Sequence, residues 1–141
     1  MKNLVNIFTT LTLILAFGFI LTVIFWCIYP YNPLEIKQPL EILNEDKTVQ
    51  VGEQLFYQVE FTKNTDKLPI INNHLVDEVV YALAPITPVN TSGEHNQVVS
   101  HITIPTIPAG NYYLRTSTCY EMNPIRTVCV VYESENFNIL E

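Results

Sequence analysis

Three histidines (His74, His95 and His101), three cysteines (Cys27, Cys119 and Cys129) and fourteen Asp and Glu are the residues of this chain able to hold a metal or move a proton. A zinc or transition-metal site draws on HxH, HxxxH or CxxC pairs, because short spacing lets two donors on one element reach one ion. No histidine or cysteine here has such a neighbour. Asp66, Asp77 and Glu78 are acidic enough for calcium but lack the DxDxDG order of a calcium loop. Ser92, Ser100, Ser117 and Ser134 lack the GxSxG turn that presents a serine nucleophile, and four glycines leave no phosphate-cradling loop. With fourteen carboxylates, chance pairs carry no argument for acid–base work. The expectation is no catalytic residue, no metal and no cofactor.

All the acids lie at or after Glu35, against only seven bases in the whole chain. Phosphate backbones and anionic headgroups are held by clustered Lys and Arg, so nucleic acid is not an expected partner. By the same argument the acidic part is expected to stand off a membrane surface rather than lie on it.

Between Lys2 and Glu35 there is no charge at all, and Ile7 to Tyr29 matches the roughly 20 apolar residues needed to cross a bilayer core. Trp26, Tyr29 and Tyr31 gather at the far end, where aromatic rings favour the headgroup layer, and Pro30 and Pro33 stop the helix there. Lys2 and the terminal amine favour a cytoplasmic N-terminus under the positive-inside rule. The expected layout is a cytoplasmic tail over 1–6, a single membrane helix over 7–29, a Pro-containing linker over 30–39 and an extracytoplasmic domain over 40–141. Cleavage after Ala16-Phe17-Gly18 would leave an exposed apolar tail, so an uncleaved anchor is the better reading. Cys27 follows Trp26 where a lipoprotein needs a small residue, and reads as a membrane-embedded thiol.

The rest is patterned for strands. Gln54–Thr62 alternates Leu55, Tyr57, Val59 and Phe61 with polar residues at period 2. Leu75–Leu83, Val98–Ile104, Tyr112–Tyr120, Thr127–Tyr132 and Phe137–Leu140 are rich in β-branched and aromatic residues, with short segments at Leu40–Leu43 and Thr48–Val51 before them. Pro85 and Pro88, then Pro105 and Pro108, punctuate the runs. The expected fold is all-β: an immunoglobulin-like or fibronectin-like β-sandwich of about seven strands. In Ile107-Pro108-Ala109-Gly110-Asn111-Tyr112, Tyr112 occupies the place of a tyrosine corner, whose hydroxyl turns back onto upstream backbone. The core Trp of antibody domains is missing, since Trp26 lies in the anchor.

The run PAGNYYLRTSTCYEMNPIRTVCVVYESENF, with its PxGxYxL and NPxRT elements, and the YPYxPLxI of residues 29–36 resemble small phage-encoded membrane-anchored proteins. That resemblance implies a phage or prophage origin and carries over no functional residue.

Asn90-Thr91-Ser92 fits a glycosylation acceptor, idle in a bacterial setting. Asn123, Pro124, Ile125 and Arg126 form the candidate binding loop, because loops on a rigid scaffold favour contact roles. A two-residue Asn123-Pro124 turn is excluded, since primed turns need positive φ. A loop over Met122–Arg126 pairs Glu121 with Thr127 and sets Cys119 opposite Cys129 and Arg115 opposite Glu133. A one-residue slip destroys both matches, so a Cys119–Cys129 disulfide is expected if the compartment oxidises. The function expected is protein or surface binding outside the membrane. The alternative is assembly through homo-oligomers, with Gly18 and Thr22 as a small-residue face. A C-terminal alkaline phosphatase fusion to the full chain is expected to be active; an inactive fusion would place the domain in the cytoplasm.

Overall fold

The computed structural model describes residues 2–29, 31–84, 86 and 91–141. Pro30, Pro85, Pro88 and Asn90, which entered the reading above, lie outside the described residues. One helix, α1 (Lys2–Ile28), is followed by β1 (Leu34–Ile42), a 3₁₀ turn (Glu45–Lys47), β2 (Thr48–Gln50), β3 (Gln54–Lys63), β4 (Ile70–Val76), β5 (Val80–Ala82), β6 (Gly93–Thr103), β7 (Gly110–Asn123) and β8 (Arg126–Leu140).

The apolar stretch Asn6–Ile28 has a mean hydropathy of 2.6, and none of it is buried against the rest of the chain. It is long and apolar enough to span a membrane. Its hydroxyls do not disturb it: Thr10, Thr12 and Thr22 each donate to the carbonyl four residues back, at 2.9 Å. The tail expected over 1–6 is helical from Lys2 onward, because nothing in Asn3–Asn6 breaks the helix.

The linker expected over 30–39 is a second correction. Strand β1 already begins at Leu34, where Leu34 and Ile36 alternate with Glu35 and Lys37. Pro39, inside the range expected to be linker, falls between Gln38 and Glu41, where the pairing of β1 with β3 is irregular. A proline is tolerated in a strand at such a site because no ladder N–H is required of it. Next to it, at Leu40, β1 makes a parallel bridge to Ser134 of β8.

Two further strand boundaries differ from the pattern reading. Leu75–Leu83 is two strands, β4 and β5, folded back at Asp77–Val79 so that Val76 faces Val80. Thr127–Tyr132 and Phe137–Leu140 are one strand, β8, with Ser134 and Glu135 forming a bulge opposite Leu114. The Ser134 hydroxyl accepts the Leu114 N–H at 2.9 Å, which replaces the ladder bond lost at the bulge.

The strands form a curled mixed sheet in the order β5-β4-β7-β8-β1-β3-β6, with β2 parallel on β8. The curl packs Leu55, Tyr57, Val59 and Ile102 of β3 and β6 with Leu75, Leu114, Phe137 and Ile139 of β4, β7 and β8. A smaller cluster of Leu34, Tyr120 and Met122 fills the end nearest α1. At the opposite end Tyr112 is 2% exposed and its Oη donates to the Pro108 carbonyl at 2.9 Å. Gly110 makes room for that ring, since a Cβ there would sit 3.3 Å from Tyr112 Cε2. Tyr112→Phe is expected to destabilise the domain by about 1 kcal/mol, the worth of one hydrogen bond, in denaturant unfolding. Equal midpoints for the two proteins would remove the Pro108 bond from the account.

Candidate functional site

The β7–β8 turn is built differently from the loop expected at Met122–Arg126. Asn123 pairs directly with Arg126 across a two-residue Pro124-Ile125 turn. Neither turn residue has positive φ, so this is not a primed turn, and Pro124 occupies the position that its fixed φ suits. Asn123 Oδ1 accepts the Ile125 N–H at 3.1 Å, closing the turn from its first side chain. The pairing sum changes between Glu121 and Asn123, which leaves Met122 as an extra residue on β7. An unprimed turn splays a hairpin, and a bulge beside it restores the twist. The bulge also brings Glu121 opposite Thr127, so every pair expected beyond the turn is present: Tyr120–Val128, Cys119–Cys129, Thr118–Val130, Thr116–Tyr132 and Arg115–Glu133.

Of the four residues read as a binding loop, Asn123 and Arg126 are engaged inside the chain, while Pro124 and Ile125 are exposed. Asn123 Nδ2 donates to the Trp26 carbonyl at 3.4 Å. Arg126 Nη1 donates to the carbonyls of Cys27, at 3.4 Å, and Tyr29. The last carbonyls of a helix have no partner within it, and the end of the helix carries partial negative charge. The last turn of α1 has no basic residue of its own. Arg126 supplies that cation from the hairpin. Close by, Lys67 Nζ donates to the carbonyls of Glu121 and Met122, at 2.6 and 2.8 Å, and ties the β3–β4 connection to the bulge.

Alternation along the hairpin divides its side chains between two faces. Inward go Tyr112, Leu114, Thr116, Thr118 and Tyr120, all buried. Outward go Arg115, Ser117, Cys119, Cys129, Val131 and Glu133. Cys119 and Cys129 are joined, with their Cα atoms 4.0 Å apart. Ile70 of β4 stands beside Cys119, and Asn72, Ser117 and Val131 make the next row. Ile70 and Val131 are 57% and 56% exposed on either side of the disulfide. In the row beyond, Arg115 Nε donates to Glu133 Oε1 at 2.7 Å and its Nη2 to Tyr113 Oη at 2.9 Å. Those bonds tie the guanidinium to its own strand and to β8, in a polar row beyond Asn72, Ser117 and Val131.

Between the main core and the small cluster near α1 lies a cavity of about 80 Å³, lined among others by Tyr57, Val59, Phe61, Lys63, Thr118 and Tyr132. Burial pushes the Tyr132 phenol up to about 12, against the opposing hydrogen bond to Thr118 at 3.1 Å. Burial likewise raises Tyr57, offset in part by the Ser100 hydroxyl. These phenols stay protonated at any physiological pH, so they serve as hydrogen-bonding groups and not as bases. Thr116 Oγ1 donates to Asn73 Oδ1 at 2.7 Å.

The histidines do not meet. His74 is on β4, while His95 and His101 on β6 lie against Phe61 and Phe56 at 4.9 and 5.9 Å between ring centroids. Among the described residues no three His, Cys, Asp or Glu converge on a point where a metal could bind. No family model matches the chain, and no curated protein matches it.

Alkylation of the full chain before reduction is expected to label Cys27 alone under denaturing conditions, with Cys119 and Cys129 labelled only after reductant. Mass spectra showing all three thiols labelled without reductant would remove the bond.

Proposed function

We propose that the chain is a non-enzymatic, membrane-anchored envelope protein of phage or bacterial origin. In this reading α1 is an uncleaved anchor with its N-terminus in the cytoplasm. The β-domain outside is an immunoglobulin-like sandwich that binds another protein or a surface component. The strand order supports the fold reading. With β1, β3 and β6 as strands A, B and E, and β4, β7 and β8 as C, F and G, the pairings β3–β6, β4–β7 and β7–β8 are those of B–E, C–F and F–G. Strand β5 then takes the C′ place, and Tyr112 stands at the start of F, where a tyrosine corner belongs.

The observation that carries the binding reading is the outer face of β4, β7 and β8. Ile70 and Val131 are exposed in adjacent rows on three paired strands, cross-linked at Cys119–Cys129 and bordered by the Arg115–Glu133 pair. The register places the two on one face, two strands and one row apart with the disulfide, Asn72 and Ser117 between them. A preorganised face loses little entropy when a partner docks. The Asn123–Arg126 turn, by contrast, is occupied by α1 and is not the contact surface in this reading.

A photo-crosslinking residue at Val131 of the full-length protein, in its native membrane, tests the proposal. A heteromeric adduct, lost in Ile70→Asp with the disulfide still formed, is the expected result. A homodimer adduct alone would instead favour assembly, and no adduct at Val131 would end the claim for this face.

A further inference from the structure

The side of the domain that meets α1 is formed by the ends of four strands. Strand β7 ends there at Asn123 and β8 starts at Arg126, while β1 starts at Leu34 and β3 ends at Lys63. Asn64 fastens this end to the chain leaving the helix: its N–H reaches the Pro33 carbonyl at 2.9 Å and its Nδ2 the Asn32 carbonyl at 3.1 Å. Three bases lie at this end, Lys63 buried and Lys67 and Arg126 nearer the turn, and Pro124-Ile125 forms the tip of the turn, with Ile125 55% exposed.

Depth follows from the hydrogen bonds. Asn123 and Arg126 reach the carbonyls of Trp26 and Cys27, which belong to the apolar stretch Asn6–Ile28 and not to the chain beyond it. Phe25, Tyr29 and Tyr31 are in contact in series there, with centroids 5.0 and 4.9 Å apart. Such rings favour the headgroup layer, so they mark its level on the helix. A turn bonded to the same helix at Trp26 and Cys27 is at that level or deeper. Its outermost side chain is an aliphatic one, and the guanidinium next to it is the type of cation that keeps its stem in apolar surroundings and its charge at the phosphates.

We propose that the Pro124-Ile125 turn is a second membrane contact: Ile125 enters the lipid interface of the leaflet that α1 exits, and Arg126 and Lys67 sit among its phosphates. The occupant is the lipid surface itself, fixed by continuity with the helix end. The acidic net charge of the domain does not oppose this. Glu121 and Asp66 near the turn balance the two bases, so insertion depends on the apolar tip and the phosphate layer and not on anionic lipid. The inference rests on α1 spanning the bilayer, and the test separates the two claims.

The test uses the full chain with Cys27→Ser, reconstituted in phosphatidylcholine vesicles, with an environment-sensitive fluorophore on a single new cysteine at Phe19, Ile125 or Thr106. The native disulfide is left oxidised. Thr106 is exposed and lies near Tyr112, at the end remote from α1. Lipids spin-labelled near the headgroup are expected to quench the Ile125 probe at least about twofold more than the Thr106 probe, as for a side chain at the headgroup–acyl boundary. Phe19, quenched by lipids labelled deep in the acyl chains, reports the span independently. Equal, weak quenching at Ile125 and Thr106 with Phe19 strongly quenched would overturn the membrane contact while leaving the anchor intact. Loss of quenching at Phe19 would overturn the anchor itself.

Discussion

The register of the β7–β8 hairpin is the constraint on which the rest of the structure depends. A slip by one residue exchanges the two faces of a strand. Here it would expose Tyr112, Leu114, Thr116, Thr118 and Tyr120, which line one face of β7 and are buried. The same register opposes Cys119 to Cys129 and Arg115 to Glu133 on the outer face. Two bulges keep it: Met122 corrects the twist of an unprimed turn, and Ser134-Glu135 corrects the frame further along. The hairpin thereby runs in one register frame from the Pro108–Tyr112 bond at one end to the helix carbonyls at the other.

That length gives the hairpin a mechanical role. Its tip takes the carbonyls that α1 cannot satisfy within itself, and the Arg126 cation lies at the negative end of the helix. Around the same place Asn64 and Lys67 bind carbonyls of the exit segment and of the bulge. Helix and sheet are therefore joined through several hydrogen bonds as well as through the chain at residues 29–33. The outer face of β4, β7 and β8 then has a fixed attitude to α1.

The hairpin was legible in the sequence because pairing leaves a chemical record. Two cysteines and one Arg–Glu pair match in one register and in no neighbouring one. Tyr112 was legible because a proline and a glycine at fixed offsets make the corner possible. The apolar helix α1 was legible from the lack of charge between Lys2 and Glu35. Other features were obscured by residues that serve two purposes. Pro39 lay inside the range expected to be linker and marks a pairing irregularity in β1; Asp77 and Glu78 looked like polar positions of one strand and form the turn between two. The seating of Asn123 and Arg126 on the helix end was illegible for a different reason: the acceptors are backbone carbonyls, which have no side-chain signature, and they lie 97 and 99 residues away.

The central claim is that the hairpin fixes the domain rigidly on the end of α1. Backbone ¹⁵N relaxation of the full chain in lipid nanodiscs measures this directly, because a domain held to the anchor tumbles with the whole particle. The account predicts one rotational correlation time for the amides of α1 and of β7 and β8, and a shorter one for the strands in Arg126→Ala with Asn123→Ala. A shorter correlation time for the strands than for α1 in the unaltered protein would contradict it.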